Sequence, residues 1–290
     1  IGYIFDMINL WFDESIYDGP VRGPYKVIVN LIESLEECNI PFAVNEDKYG
    51  KNYLVHYGRE GHEKHSKLEH DSCVIGPQIW PFDPYGEFLR DNPQYYRKLI
   101  VPSISPKISF IDQGFVEDKI AVWPVGIKEI NIEGRGDKVL VYQKERSDSD
   151  VQVVTNFLDS KDIDYDFLKY GTYSEADFDR CLKSCSRAII VGRPETQGIA
   201  YQEMMSSGMP LLLWEVDEWY DMGVPEPYRK YPEPTLAHYF SDECGMKFYS
   251  VEELESSFDT FMNTEYDPKS YVKRELSYKV TVQKLLALFE

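Results

Sequence analysis

Short apolar runs recur along the chain, each closed by a glycine, a proline or a polar residue, and most of them followed by a stretch of helical character. In the first half these are "PFAVN" (41–45), "YLVHYG" (53–58), "CVIG" (73–76), "KLIVPS" (98–103) and "KIAVWPVGI" (119–127), after an opening "IGYIFDMI" (1–8) that also reads as a strand. Between them lies "GPYKVIVNLIESLEECN" (23–39), whose Val27, Leu31, Ile32 and Leu35 fall on one stripe of an amphipathic helix. A polar, glycine-bearing segment, "KEINIEGRGDK" (128–138), then interrupts the pattern and reads as a linker. After it the pattern restarts: "VLVYQK", "YDFLKYG", "RAIIVG" and "PLLLWE" as strands, "DSDVQVVTNFLDS" and "SEADFDRCLKSC" as helices between them. Two helical stretches, 251–263 and 267–289, finish the chain. Strands alternating with helices cannot form hairpins and build parallel sheets instead. The expectation is an α/β chain of two Rossmann-like, doubly wound domains facing a cleft, residues 1–128 and 129–290, with the last helix free to pack back on the first domain.

Ligands of such folds sit outside the carboxyl ends of the strands, so the segments following the apolar runs are the ones to search. No Gly-x-Gly-x-x-Gly follows the first strand and no Walker-type loop occurs, which argues against a dinucleotide oxidoreductase and a P-loop nucleotidase. The stretch after "RAIIVG" is richer. In "RPETQGIAYQEMMSSGMP" (193–210), Glu195 falls at a strand end and Thr196 is placed to cap the helix that follows. Gly198 allows close approach of a ligand to the backbone. The first-turn N–H groups, those of Gly198 and Ile199 included, form a seat for a phosphate or diphosphate. Glu203, four residues beyond Ile199, shares its face; its carboxylate suits hydroxyl donors such as those of a ribose.

Glu195, Thr196, Gly198, Ile199, Glu203, Gly208 and Pro210 stand in the register of the Glu-x7-Glu donor-site signature, and the stretch resembles that of retaining glycosyltransferases of GT-B fold, family four in particular. Met204 replaces the usual alanine of that pattern. "GPVRGPYKVIVNLIESLEE" is similar to the glycine-bearing first loop and helix of the family's acceptor domain, which makes Gly19, Arg22 and Gly23 candidates for the acceptor or cleft loop. "IAVWPVGI" looks like the segment that ends that domain, with Val125 where asparagine is usual, and "DKVLVYQKER" opens the second domain with basic residues. The family's basic pair is often about five residues apart; Lys144 and Arg146 are two apart, so either can be the one that meets the diphosphate. The resemblance implies that Glu203 binds the ribose of a nucleotide-sugar and that Glu195 orients sugar hydroxyls at the reaction centre. It also implies that the Gly198 and Ile199 amides, with Lys144 or Arg146, stabilise the departing diphosphate; Arg193 is a third candidate contact. It implies transfer of a hexosyl or pentosyl group to a glycan or other small acceptor with retention of configuration, no cofactor beyond the nucleotide-sugar co-substrate, and no metal. A nucleotide-sugar epimerase or phosphorylase on the same fold, and a non-catalytic nucleotide- or sugar-binding protein, are the alternatives.

Composition bounds the partners. A net charge of −19, divided −6 over residues 1–128 and −13 over the remainder, opposes binding to nucleic acid and limits membrane contact to a peripheral one at most. Five scattered cysteines and an opening without a secretory apolar segment fit reduced thiols and a cytoplasmic setting. Four histidines (His56, His62, His65, His70) cluster within 15 residues, but with only Cys73 nearby they read as a polar, exposed helix in preference to a zinc site. Cys181 and Cys185 read as helix positions packed on the sheet, "DIDYD" (162–166) as chance acidic spacing, and Trp11 and Tyr17 as aromatics flanking a cleft-facing loop.

Overall fold

A computed structural model describes residues 7–18, 22–46, 50–56, 65, 67–223 and 229–290. The chain forms two compact units: residues 1–126, 221–232 and 276–290 make the first, and residues 127–220 and 233–275 the second. Gly19 and His62 lie outside the described residues.

The first unit is built on a six-stranded parallel sheet of order β2-β1-β3-β4-β5-β6. Its strands are β1 (Ile8–Phe12), β2 (Phe42–Val44), β3 (Lys51–His56), β4 (Cys73–Ile75), β5 (Lys98–Val101) and β6 (Ile120–Val122). Helix α1 (Gly23–Glu37) returns the chain from β1 to β2 and buries Val27, Leu31 and Leu35 of the expected stripe, with Ile28 fully buried and Ile32 only half-buried. Helices α2 (Pro84–Asp91) and α3 (Ile104–Asp112) connect the later strands. On one face of the sheet Trp11, Leu54, Ile75, Leu99 and Val101 pack with Leu89 and Phe110. Trp11 is therefore core rather than cleft: it is 1% exposed, and its indole N–H donates to the buried Asn52 amide at 2.8 Å. Tyr17 is half-exposed and meets Phe12 and Tyr25 edge-on.

The second unit carries a five-stranded parallel sheet of order β11-β10-β9-β7-β8. The strands are β7 (Lys138–Lys144), β8 (Tyr165–Lys169), β9 (Cys185–Gly192), β10 (Leu211–Trp214) and β11 (Gly245–Phe248). Helices α4 (Asp148–Ser160), α5 (Glu175–Ser184) and α6 (Ile199–Ser206) alternate with them. Helix α5 begins in a capping box in which Ser174 and Asp177 satisfy each other's backbone N–H. Cys185 starts β9 instead of continuing that helix, so Cys181 and Cys185 are buried on different elements. Asp166 is tied to Lys138 at 2.9 Å and to the Ser184 hydroxyl at 2.5 Å, an internal role for the "DIDYD" acids. Helices α7 (Leu254–Asn263), α8 (Pro268–Glu275) and α9 (Tyr278–Leu286) end the chain, α9 in the first unit. Among the described residues no helix is long and apolar enough to cross a membrane.

Candidate active site

In the second unit the chain runs from β7 outward to β8, then crosses to β9 on the other flank of β7. The strand order therefore reverses between β7 and β9, and the two loops leaving these strands part from one another there, the ordinary position of a ligand site in an open parallel sheet. Lys144 ends β7 and Glu195 follows the end of β9. Lys144 Nζ lies 2.7 Å from Glu195 Oε1, with the two side chains 13% and 10% exposed. The contact is a close ion pair rather than a directed hydrogen bond, since Oε1 lacks a well-aligned donor. The ammonium also sits 4.2 Å from the centre of the Tyr170 ring, in cation–π range. Tyr170 follows β8 and is tied to β7 by its N–H on the Gln143 carbonyl at 2.8 Å. Three neighbouring strand ends thus converge on one cation.

Beyond Glu195 the chain reaches α6, whose N-cap is Gly198 in the left-handed conformation (φ 78°, ψ 49°). No side chain caps this helix, so Thr196 is exposed and does not perform the capping expected of it. The reason lies in the next residue. Gln197 is buried, and its amide donates to Gln202 at 3.0 Å while Gln202 donates back to the Gln197 carbonyl at 3.0 Å. This exchange pins the chain before the helix and moves the first turn two residues past Thr196. The first-turn N–H groups of α6 have no partner within the helix, and the helix dipole favours an anion at this end. Glu203 is half-buried one turn further along.

Beneath this first turn Tyr201 is 1% exposed and packs edge-on against Tyr142 at 5.7 Å. Tyr142 precedes Lys144 by two positions on the same face of β7. Burial, with Glu195 nearby, holds the Tyr201 phenol protonated well above its ordinary value. Gly192 is required here, because a Cβ on it would stand 2.6 Å from the Tyr201 hydroxyl.

The two arginines are engaged with protein groups. Arg146 donates through Nε to Asp150 at 2.9 Å and through Nη1 to the Gly192 and Trp214 carbonyls at 3.4 Å, with its guanidinium 4.9 Å from the Trp214 ring centre. It fastens the ends of β9 and β10 to the start of α4. Arg193 pairs with Glu145 at 2.8 Å. Lys144 and Glu195 are brought together, whereas Arg146 is turned to Asp150 and the Gly192 and Trp214 carbonyls. In the first unit, Arg22 is exposed at the N-cap of α1, and Gly23 has open space where a Cβ would stand.

Solved structures share this architecture. No protein-family model matches the sequence, and no curated protein sequence does. The structure of TarM superposes with a TM-score of 0.53 at 14% identity, over 82% of this chain and 55% of that one. The chain thus spans a little more than half the length of TarM. The galactosyltransferase WaaB, of the lipopolysaccharide outer core, matches with a TM-score of 0.59 at 10% identity over 97% of this chain and 98% of its own. HepE of Anabaena, solved in complex with UDP and glucose, matches at 0.57 and 12% over 97% and 98%. The chain has the GT-B fold.

Within the GT-B fold of this chain, sequence reasoning passed over one carboxylate. Glu215 follows β10 and is 3% exposed. It accepts from the Leu236 N–H and the Thr235 hydroxyl, both at 2.7 Å, and pairs with Lys247 at 2.9 Å. The Thr235 carbonyl in turn accepts the Glu195 N–H at 3.2 Å. Glu215 and Tyr170 share one signal with Lys144 and Glu195: each is a polar or aromatic residue within three positions of the end of an apolar strand run. The histidine reading is corrected at one position, since His65 is buried and bonded to the Tyr95 carbonyl and the Tyr85 hydroxyl. Among the described residues no three His, Cys, Asp or Glu side chains converge as a metal-ligand set.

Proposed function

We propose that the chain is a retaining glycosyltransferase that moves a sugar from a nucleotide-sugar to a glycan or other small acceptor. The observation that supports this best is the meeting of Lys144, Glu195 and the uncapped start of α6 where the strand order reverses. In this reading the diphosphate of the donor lies against the Gly198 and Ile199 amides. Lys144 has three N–H donors, so it can keep Glu195 and still take a phosphate oxygen. The bond from the anomeric carbon to the diphosphate breaks as an acceptor oxygen attacks from the same face, and the acceptor proton passes to the departing diphosphate oxygen. A cation and helix amides aimed at a leaving group whose charge grows supply the stabilisation, and no metal ion is needed. Glu203 accepts hydrogen bonds from the ribose, and Glu195 from the transferred sugar. Of the two basic residues at the end of β7, Lys144 is assigned to the diphosphate. Arg146 is assigned to holding the strand ends.

UDP-hexoses come first among donors, because HepE, which shares this fold, is seen with UDP-glucose. The test is release of free nucleotide from a panel of UDP-, GDP- and ADP-sugars, with and without sugar acceptors. Glu203→Ala is expected to weaken nucleotide binding by about tenfold, the size of one charge-assisted hydrogen bond. Glu195→Ala is expected to leave binding near its original value and to lower turnover. Full activity in both variants would remove the site assignment, and saturable binding without turnover would make the chain a nucleotide-binding module.

A further inference from the structure

The loop between β4 and α2, residues 76–83, presents one tryptophan to solvent from a backbone that is otherwise locked down. Trp80 is 56% exposed, whereas the other four tryptophans are buried or half-buried. Its neighbours on either side, Ile79 and Pro81, are buried and anchor the loop. Gly76 holds a positive φ of 119° with its Cα against the Ile100 carbonyl, leaving no room for a Cβ. Gly86 likewise leaves no room between α2 and the Trp80 carbonyl. Asp83 caps α2 by accepting the Gly86 N–H at 2.6 Å. An indole held this firmly and left this bare is not waiting to fold inward, and its exposure costs the favourable transfer that burial of so large a ring provides.

The surroundings of the ring are polar in a particular way. It stacks on Phe82, with centroids 5.8 Å apart and planes 28° from parallel, so Phe82 backs the indole from one side. Gln78 and Asp83 belong to the same loop, two positions before and three after the tryptophan, and one Asp83 oxygen is taken by the Gly86 N–H. At the same end of the next strand, the Ser103 hydroxyl is buried and unpartnered and does not cap the helix it precedes. This is the carboxyl end of the first sheet, the side on which open parallel sheets take their ligands.

We propose that Trp80, backed by Phe82 and carried on a loop that also holds the polar Gln78 and Asp83, is a stacking platform for a pyranose ring of a neutral glycan acceptor. The apolar C–H face of a pyranose matches a flat indole, and its equatorial hydroxyls suit polar side chains carried on the same loop. An anionic membrane surface matches poorly: Asp83 and Glu87 add negative charge to this loop and helix, where Arg90 is paired with Asp91, on a chain of net charge −19. The proposal rests on the glycosyl-transfer reading for its biological sense, but its test does not.

Saturation-transfer NMR, without any nucleotide present, is run with maltotriose, cellotriose, chitotriose and a β-galactoside trisaccharide. At least one is expected to bind saturably to the unmodified protein. Trp80→Ala is expected to weaken that binding about tenfold and Trp80→Phe, which keeps a flat ring, by no more than about threefold. The exposed position predicts an unchanged melting temperature for both variants. No binding by any of the four sugars, or equal binding by the alanine variant, overturns the platform. Binding of phosphatidylglycerol vesicles that is lost in Trp80→Ala, without sugar binding, overturns it in favour of a membrane contact. Sugar binding without donor turnover would leave the platform standing and remove only the transferase reading. Donor turnover without sugar binding would do the reverse.

Discussion

A carboxylate as buried as Glu215 is stable only when its oxygens are met by donors, and four meet them: the Val216 and Leu236 N–H groups, the Thr235 hydroxyl and the Lys247 ammonium. Removing one member of such a set leaves the rest without compensation, which costs more than the set contributes net. Glu215→Ala is expected to lower unfolding free energy by about 3 kcal/mol, read from urea midpoints. Because Thr235 also receives the Glu195 N–H, donor turnover should fall in parallel. A variant of unchanged stability would show that the Lys247 pair carries none of this load. At this scale the sequence was legible where residues near a strand end also fell in a motif. Glu195 was found in the Glu-x7-Glu stretch and Lys144 through the resemblance, whereas Glu215, which directly follows an apolar run, belongs to no motif. What the spacing could not convey is partnership. That Arg146 spends its guanidinium on Asp150 and two carbonyls while Lys144 faces Glu195 depends on how β7, β9 and β10 lie side by side.

Elements were legible in proportion to their length and periodicity. Helix α1 shows its stripe over 15 residues, and β7 and β9 are continuous apolar runs as expected of strands buried on both faces. Strand β11 is only "GMKF", and α2 carries a glycine and two prolines within or beside eight residues, so neither stands out from its surroundings. The last helical stretch divides into α8 and α9 at Leu276 and Ser277, where neither proline nor glycine marks a break; Ser277 is extended (φ −58°, ψ 154°) because the chain passes there from one unit to the other. The start of α6 is the instructive case. Its N-cap is set by Gly198 in a conformation that other residues adopt only at a cost, and a Cβ on it would lie 3.1 Å from the Tyr201 ring and 3.5 Å from the Glu195 Cβ. Gly198→Ala is therefore expected to lose about 1–2 kcal/mol of stability, measured by denaturant unfolding, and to lower donor turnover by displacing Glu195. Stability equal to the unmodified protein would mean that the left-handed cap is not needed for the helix to begin here.

At the scale of the molecule, the first unit is not one stretch of chain. Residues 276–290 belong to it, separated by the whole second unit from the residues they join. The joints are specific: the Trp123 indole N–H donates to the Thr281 carbonyl at 2.8 Å, Arg97 to the Leu288 carbonyl at 3.0 Å, and the Tyr278 hydroxyl to Glu33 at 2.9 Å. Leu276, Val282 and Leu285 are buried there as well. Periodicity along a sequence shows that such a helix exists and which of its faces is apolar, but not which sheet, far back in the chain, that face will cover. Gly126 is where the fit is tightest, since a Cβ on it would lie 2.5 Å from Thr281 Oγ1, 2.7 Å from Tyr278 Cδ1 and 3.1 Å from the Tyr278 Cα. The last of these is backbone, so a side-chain rotation cannot relieve the overlap and α9 has to shift. Gly126→Ala should accordingly destabilise the first unit by about 1–3 kcal/mol, the usual cost of overpacking. Hydrogen exchange provides the measurement: amides of β5, β6 and α9 should exchange faster, while those of β7, β9 and α6 keep their protection. UDP binding, which the proposed function assigns to the second unit, should remain within about twofold, well under the tenfold that 1.4 kcal/mol represents. Equal loss of protection in both units would instead mean that the two unfold as one cooperative body, and that the C-terminal return couples them rather than completing only the first.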